Sequence, residues 1–120
     1  EHEQNTVTEA EINLLHQQVC YALSDPTRIL ILYILKEGPR SVGELTARMK
    51  LPQSTVSRHL RVLRDRSIIS LEKRGTSNLY TIADTRIVDA LDLLRQVLNQ
   101  QLTEQAKLTA AIQNTIPLKE

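Results

Sequence analysis

Apolar positions recur along this chain with a helical rhythm of threes and fours nearly everywhere, and alternate only in one short stretch past its middle. Thr8-Glu9-Ala10-Glu11 is a capping-box pattern, in which a Thr hydroxyl and a Glu carboxylate each satisfy a backbone donor at a helix start. Ile12, Leu15, Val19 and Leu23, reinforced by Leu14 and Ala22, keep one stripe up to Ser24, so a first helix is expected over about 9–24. Asp25-Pro26 opens the next, because Asp can cap and Pro at the first helical position gives up only a donor that has no partner there. Ile29 to Leu32, with Ile34 and Leu35, surround most of that helix, which predicts a central element covered on several sides until Gly38-Pro39 stops it after Glu37.

Ser41-Val42-Gly43-Glu44 is a second capping box, opening a short helix with Leu45 and Met49 on its inner face. Leu51-Pro52 then punctuates, and Val56, Leu60 and Leu63 at spacings of four and three predict a helix from about Gln53 to Arg66. Ile68–Lys73 and Asn78–Ile82 are β-rich and joined through Arg74-Gly75-Thr76-Ser77, the signature of a hairpin over about 68–82. Asp84 can cap a last helix over about 85–114, where Ile87, Leu91, Leu94 and Leu98 alternate by four and three and Leu102 extends the stripe. A domain this small offers that stripe little cover besides the first helix, so a second copy of the chain is the expected partner. The fold class is mainly α with a small β-hairpin, ordered α-α-α-α-β-β-α, one domain over 8–114 that dimerises through its first and last helices.

Composition narrows this further. The length of 120 residues suits one domain with one core. With three tyrosines and no Phe or Trp, that core is built from Leu, Ile, Val and Ala, which favours helices over a sandwich. Residues 1–7, His2 among them, are expected to be loose. Cys20 is the one cysteine, so no intramolecular disulfide forms, and no charged, apolar and small-residue leader precedes Thr8, although Glu1 hints at a trimmed start. The longest apolar run, Ile29–Leu35, has seven residues where a membrane span needs about twenty. A cytoplasmic protein with no membrane partner follows, and Pro117-Leu118-Lys119-Glu120 reads as a natural tail.

The net charge of +1 hides an asymmetry. Residues 36–80 carry ten basic side chains against four acidic, a balance of +6, while the remainder carries five against ten, or −5. Positive potential gathered on one stretch suits a polyanion. The same stretch holds two helices joined by a short turn, the second lined outwardly by Gln53, Ser54, Thr55, Ser57, Arg58, His59, Arg61 and Arg64, with almost no carboxylate before Asp65. This is what a helix-turn-helix, here about 41–66, needs in order to enter a major groove. Arg offers paired donors to guanine, Gln can pair with adenine, Thr can touch a thymine methyl, and Ser can serve bases or phosphate. Gln53, Ser54, Thr55, Ser57 and Arg58 are therefore the expected base readers, with His59 and Arg61 also assigned to the DNA face and Arg61 and Arg64 turned more to phosphate or solvent. The hairpin completes a winged arrangement, whose Lys73, Arg74, Thr76, Ser77 and Asn78 can reach a minor groove or backbone. Tyr80 either packs at the base of the wing or reaches phosphate.

Ala22-Leu23-Ser24-Asp25-Pro26-Thr27-Arg28-Ile29, Gly43-Glu44-Leu45 and Gln53-Ser54-Thr55-Val56-Ser57-Arg58-His59-Leu60-Arg61-Val62-Leu63 together resemble ArsR-type (ArsR/SmtB) winged helix-turn-helix transcriptional repressors, over about residues 12–100. The resemblance implies a homodimer on a partly palindromic double-stranded DNA operator, released when a ligand binds. The family's sensor residues mostly fail to carry over. Its Cys-Val-Cys is replaced by Ser41-Val42-Gly43, which removes soft-metal sensing there. Its last-helix zinc pattern falls on Asp84, Arg86, Val97 and Gln100, of which Asp84 alone matches, and that residue is read as a helix cap in preference to a ligand. Dithiol switching needs two cysteines. No metal or cofactor is therefore assigned, and the inducer is unknown.

His16 and Cys20, four apart on the first helix, can share a metal or let the imidazole activate the thiol, whereas a free Cys is ordinarily a small buried hydrophobe. No phosphate-cradling loop, carboxylate pair or nucleophile motif accompanies the three scattered histidines, so the chain is read as no enzyme. Two other readings stand beside the repressor: a winged-helix module that docks a protein partner without sequence-specific DNA binding, and the regulatory portion of a longer catalytic chain.

Overall fold

A computed structural model describes residues 6–115, so the expectations for His2, for residues 1–5 and for the tail 116–120 lie outside the described residues. The chain divides into two units, one running to Thr85 and one from Arg86 onward.

The first unit contains α1 (Glu9–Leu15), α2 (Pro26–Lys36), α3 (Val42–Met49), α4 (Gln53–Asp65), β1 (Ile69–Arg74) and β2 (Ser77–Ile82). Local chemistry sets most of these limits. Thr8 Oγ1 accepts from the Glu11 N–H at 3.1 Å, and Asp25 Oδ1 accepts from the Thr27 N–H at 2.8 Å with Pro26 following. Both arms of the Ser41 capping box form, Glu44 N–H to Ser41 Oγ at 3.1 Å and Ser41 N–H to Glu44 Oε1 at 2.9 Å.

The first helix departs from expectation. It is regular only to Leu15. A wide π-turn follows over His16–Cys20, closed by Tyr21 N–H to His16 O at 3.0 Å, and then a tight 3₁₀ turn over Ala22–Ser24. A π-turn spaces its hydrogen bonds five residues apart, so the stripe drawn through Ile12, Leu15, Val19 and Leu23 does not continue on one face. Ala22 is fully buried, while Ile12, Leu14 and Leu15 are exposed.

α2 is central, with Ile31, Leu32, Ile34 and Leu35 buried and Leu30 left outside. Leu45 of α3 joins them, as do Val56, Leu60 and Leu63 of α4, and Ile68 and Ile69 close the core from the hairpin. The hairpin is antiparallel, with Ile69 opposite Ile82 and Arg74 opposite Ser77. Its two-residue loop places Gly75 at φ +61°, a left-handed conformation that glycine adopts without steric cost. Arg40 adds an isolated bridge to Tyr80, extending the sheet by one residue in a way the sequence does not foretell.

The second unit is α5, Arg86–Thr115, a thirty-residue helix. Leu94, Val97, Leu98 and Leu102 are all more than half exposed along it, and Leu108 follows in the same state. No described helix is long and apolar enough to cross a membrane.

Candidate nucleic-acid interface

The turn between α3 and α4 is made by Lys50, whose φ of 56° ends α3 in a left-handed cap, followed by Leu51 and an extended Pro52. α4 then buries Val56, Leu60 and Leu63, and this fixes its other face outward. Gln53, Ser54, Ser57, Arg58, Arg61 and Arg64 are exposed on that face and Thr55 is half-buried. No side chain caps the start of α4. Uncapped first-turn N–H groups and the positive end of the helix dipole are suited to an anion such as a DNA phosphate.

On the wing, Lys73, Arg74, Thr76, Ser77 and Asn78 are all exposed at the tip. Arg74 turns back to Glu72 at 3.3 Å, and Arg61 stands 3.9 Å from Asp65. Exposed pairs of this kind hold their partners weakly, so both arginines can be redirected to phosphate. Among the described residues Arg58, Arg64 and Lys73 have no ion pair. Ser57, Leu60, Arg61, Arg64, Asp65 and Tyr80 line an open cleft of about 520 Å³ between α4 and the wing. Tyr80 is half-buried there, with its backbone tied to Arg40.

Elsewhere the basic stretch is partly neutralised. Arg48 donates two bonds to the Glu37 carboxylate, at 2.7 and 2.9 Å, and Arg40 donates a third at 3.3 Å. The Arg48 bonds foremost hold the Glu37 carboxyl below the ordinary carboxylate range.

His59 corrects the sequence expectation. Assigned to the DNA face, it is turned inward and only 6% exposed, which leaves no edge free for a base. Its Nδ1 lies 3.2 Å from Nη1 of Arg28, which is itself 7% exposed. Arginine has donors only, so Nδ1 is the acceptor and the imidazole is neutral with its proton on Nε2. Burial above all pushes its pKa below 6.5; the Asp25 carboxylate opposes this, and Arg28 and Arg58 add to it. Arg28 also donates from Nε to Ala22 O at 2.8 Å and from Nη2 to Tyr21 O at 3.0 Å and Ser24 Oγ at 3.5 Å. The Tyr21 ring takes the guanidinium carbons of Arg28 at 5.4 Å and Arg66 at 4.5 Å from its centroid, cation–π contacts that help hold two buried or half-buried cations near one another.

The candidate pair His16 and Cys20 is placed differently from a regular helix. His16 and Cys20 bound the π-turn, and Cys20 is exposed instead of packed as a small hydrophobe. Among the described residues no group of three or more His, Cys, Asp or Glu could hold a metal ion. Sequence reasoning missed Arg28 and Arg40 as organisers of the site. Arg28 carries a readable signal, standing three and four residues before the buried Ile31 and Leu32, on the face of α2 that points into the core.

A sequence profile described as bacterial regulatory protein, arsR family, matches residues 25–70. The uncharacterized HTH-type transcriptional regulator MJ1325 of Methanocaldococcus jannaschii is 36% identical over 81 residues, which cover 67% of this chain and 91% of that protein. The crystal structure of Rv0081 from Mycobacterium tuberculosis is similar with a TM-score of 0.71 at 33% identity, covering 79% of this chain and 96% of that one. The solution structure of Mb0332 from Mycobacterium bovis, a homodimeric winged helix-turn-helix DNA-binding domain of a possible ArsR-family regulator, is similar with a TM-score of 0.68 at 25% identity, covering 81% and 92%.

Proposed function

Because the chain belongs to the ArsR family of bacterial regulatory proteins, a family of transcriptional regulators and not of enzymes, we propose that it is a homodimeric repressor that binds a partly palindromic operator in the cytoplasm. The observation that carries this reading is the outer face of α4, where Gln53, Ser54, Ser57 and Arg58 are exposed and carboxylate-free next to a basic wing. In this reading residues 8–114 act as one DNA-binding domain. Gln53, Ser54, Thr55, Ser57 and Arg58 meet base edges, while Arg61, Lys73, Arg74, Thr76, Ser77 and Asn78 meet the backbone or an adjacent minor groove.

Two uncovered apolar stripes support the dimer: Ile12, Leu14 and Leu15 on α1, and Leu94, Val97, Leu98 and Leu102 on α5. Exposed leucines in that number on so small a protein mark an interaction surface. A dimer of recognition helices then matches a two-fold operator. Release is by a signal not sensed at the family's usual metal positions. Cys20, exposed at the end of the turn that His16 opens, is where a redox signal would enter.

The test is selection of a duplex from a randomised pool, followed by binding and transcription measurements across a salt series with Cys20 reduced or oxidised. A palindromic site, a steep salt slope and lowered transcription support the repressor. No enriched site with salt-independent behaviour would move the assignment to a protein-docking module, and raised transcription from the selected site would make it an activator.

A further inference from the structure

Arg28 makes contacts that neither DNA binding nor dimerisation has so far used. Three of its donor contacts end on one short stretch, the Tyr21 and Ala22 carbonyls and the Ser24 hydroxyl, and the fourth ends on His59, thirty-one residues later on α4. A guanidinium is planar and its donors are fixed relative to one another, so the two ends of this clasp cannot move independently without breaking bonds on one side. The stretch held at one end closes the first helical segment, and the helix held at the other carries the exposed Gln53, Ser54, Ser57 and Arg58.

We propose that Arg28 is a positioning residue for α4: through the neutral His59 ring it sets the rotation at which the reading face is presented, and ties that rotation to the end of the first helical segment. The consequence for operator affinity rests on the DNA-binding reading above; the mechanical claim does not.

The clasp carries its own chemical signature. The charged groups acting on His59 are Arg28 from α2, Asp25 from the cap of α2, and Arg58 from α4 itself. A proton on Nδ1 turns the acceptor into a donor facing a donor and sets a second cation against Arg28. Acid therefore releases α4. Adding positive charge ordinarily strengthens DNA binding, so a loss of operator affinity on acidification runs against the general electrostatic trend and identifies the clasp.

The experiment compares the wild-type chain with Arg28→Lys and His59→Gln. Hydrogen exchange of the α3 and α4 amides is followed without DNA, and binding to the selected operator and to random duplex is followed between about pH 5.5 and 7.5, the range in which histidine titrates. Arg28→Lys keeps the charge and loses the fork: α4 amides exchange faster while α3 amides do not, and operator affinity falls by about tenfold with random-duplex affinity kept. His59→Gln keeps an acceptor and abolishes the acid loss of operator affinity that the wild type shows. Should Arg28→Lys fail to fold, His59→Leu keeps the bulk, removes the acceptor and carries the same comparison. Unchanged α4 exchange in the variant that removes the bond, or wild-type operator affinity that holds or rises on acidification, would overturn the proposal. If no duplex is selected at all, the repressor reading fails, and the exchange measurement still decides the role of Arg28.

Discussion

Arg40 and Tyr80 exchange both backbone hydrogen bonds, Arg40 N–H to Tyr80 O at 3.1 Å and Tyr80 N–H to Arg40 O at 2.7 Å. Arg40 immediately precedes the Ser41 cap of α3, and Tyr80 lies in the return strand of the wing. The entry to the helix-turn-helix and the base of the hairpin thus share backbone, and a shift of one is passed to the other. The wing-tip cations are held in register with α3 by main-chain bonds that do not depend on the side chains of Arg40 and Tyr80.

Arg58→Ala should weaken binding to the selected operator by about 1–3 kcal/mol if the guanidinium reads a guanine, with a smaller loss on random duplex. Competition titrations with the two duplexes check this. An equal loss on both would reassign Arg58 to phosphate.

Leu98 is 51% exposed on α5, and a charge there is tolerated by a single chain but not by an apolar interface. Leu98→Glu is expected to sediment as a monomer with unchanged helical circular dichroism. A variant that still sediments as a dimer would place the interface elsewhere.

Ser41→Ala removes the hydroxyl arm of the α3 capping box, in which Ser41 Oγ accepts from the Glu44 N–H. Urea denaturation should show a loss of about 1 kcal/mol with the slope unchanged. A larger loss would mean that α3 unravels and takes the Arg40–Tyr80 bridge with it.

His59 gives stability a direction in pH. Its folded pKa lies below 6.5, so in the window between the folded value and 6.5 the unfolded chain binds the extra proton. Stability from this residue is fully present above that window and is lost as pH falls through the folded pKa. Denaturation midpoints measured from neutral pH downward should decline in the wild type more than in His59→Gln, whose side chain does not titrate. Parallel declines would assign the acid sensitivity to other groups.

The sequence was most legible where structure is made locally. Asp25 and Ser41 announce their helices because a cap is a contact over two or three residues, and both form as expected. The recognition helix followed from Val56, Leu60 and Leu63 for the same reason. His59 was misplaced although its position was readable, three residues after Val56 and four before Leu63, within the inward stripe; its polar type outweighed its spacing. The Arg28–His59 clasp and the Arg40–Tyr80 bridge depend on residues thirty-one and forty positions apart, and no local pattern encodes such pairs. The wide turn at His16–Cys20 was hidden as well, since the apolar spacing there is compatible with an uninterrupted helix.

That wide turn makes segment length, more than side-chain identity, the constrained quantity between Leu15 and Ala22. It acts as a phase shift: residues ahead of it, Ile12 and Leu15, face outward, while Ala22 behind it is locked into the core. Removing Gln17 or Gln18 would let the backbone relax to a regular helix and rotate one of the two groups out of its place, whereas exchanging either glutamine for another polar residue would leave both where they are.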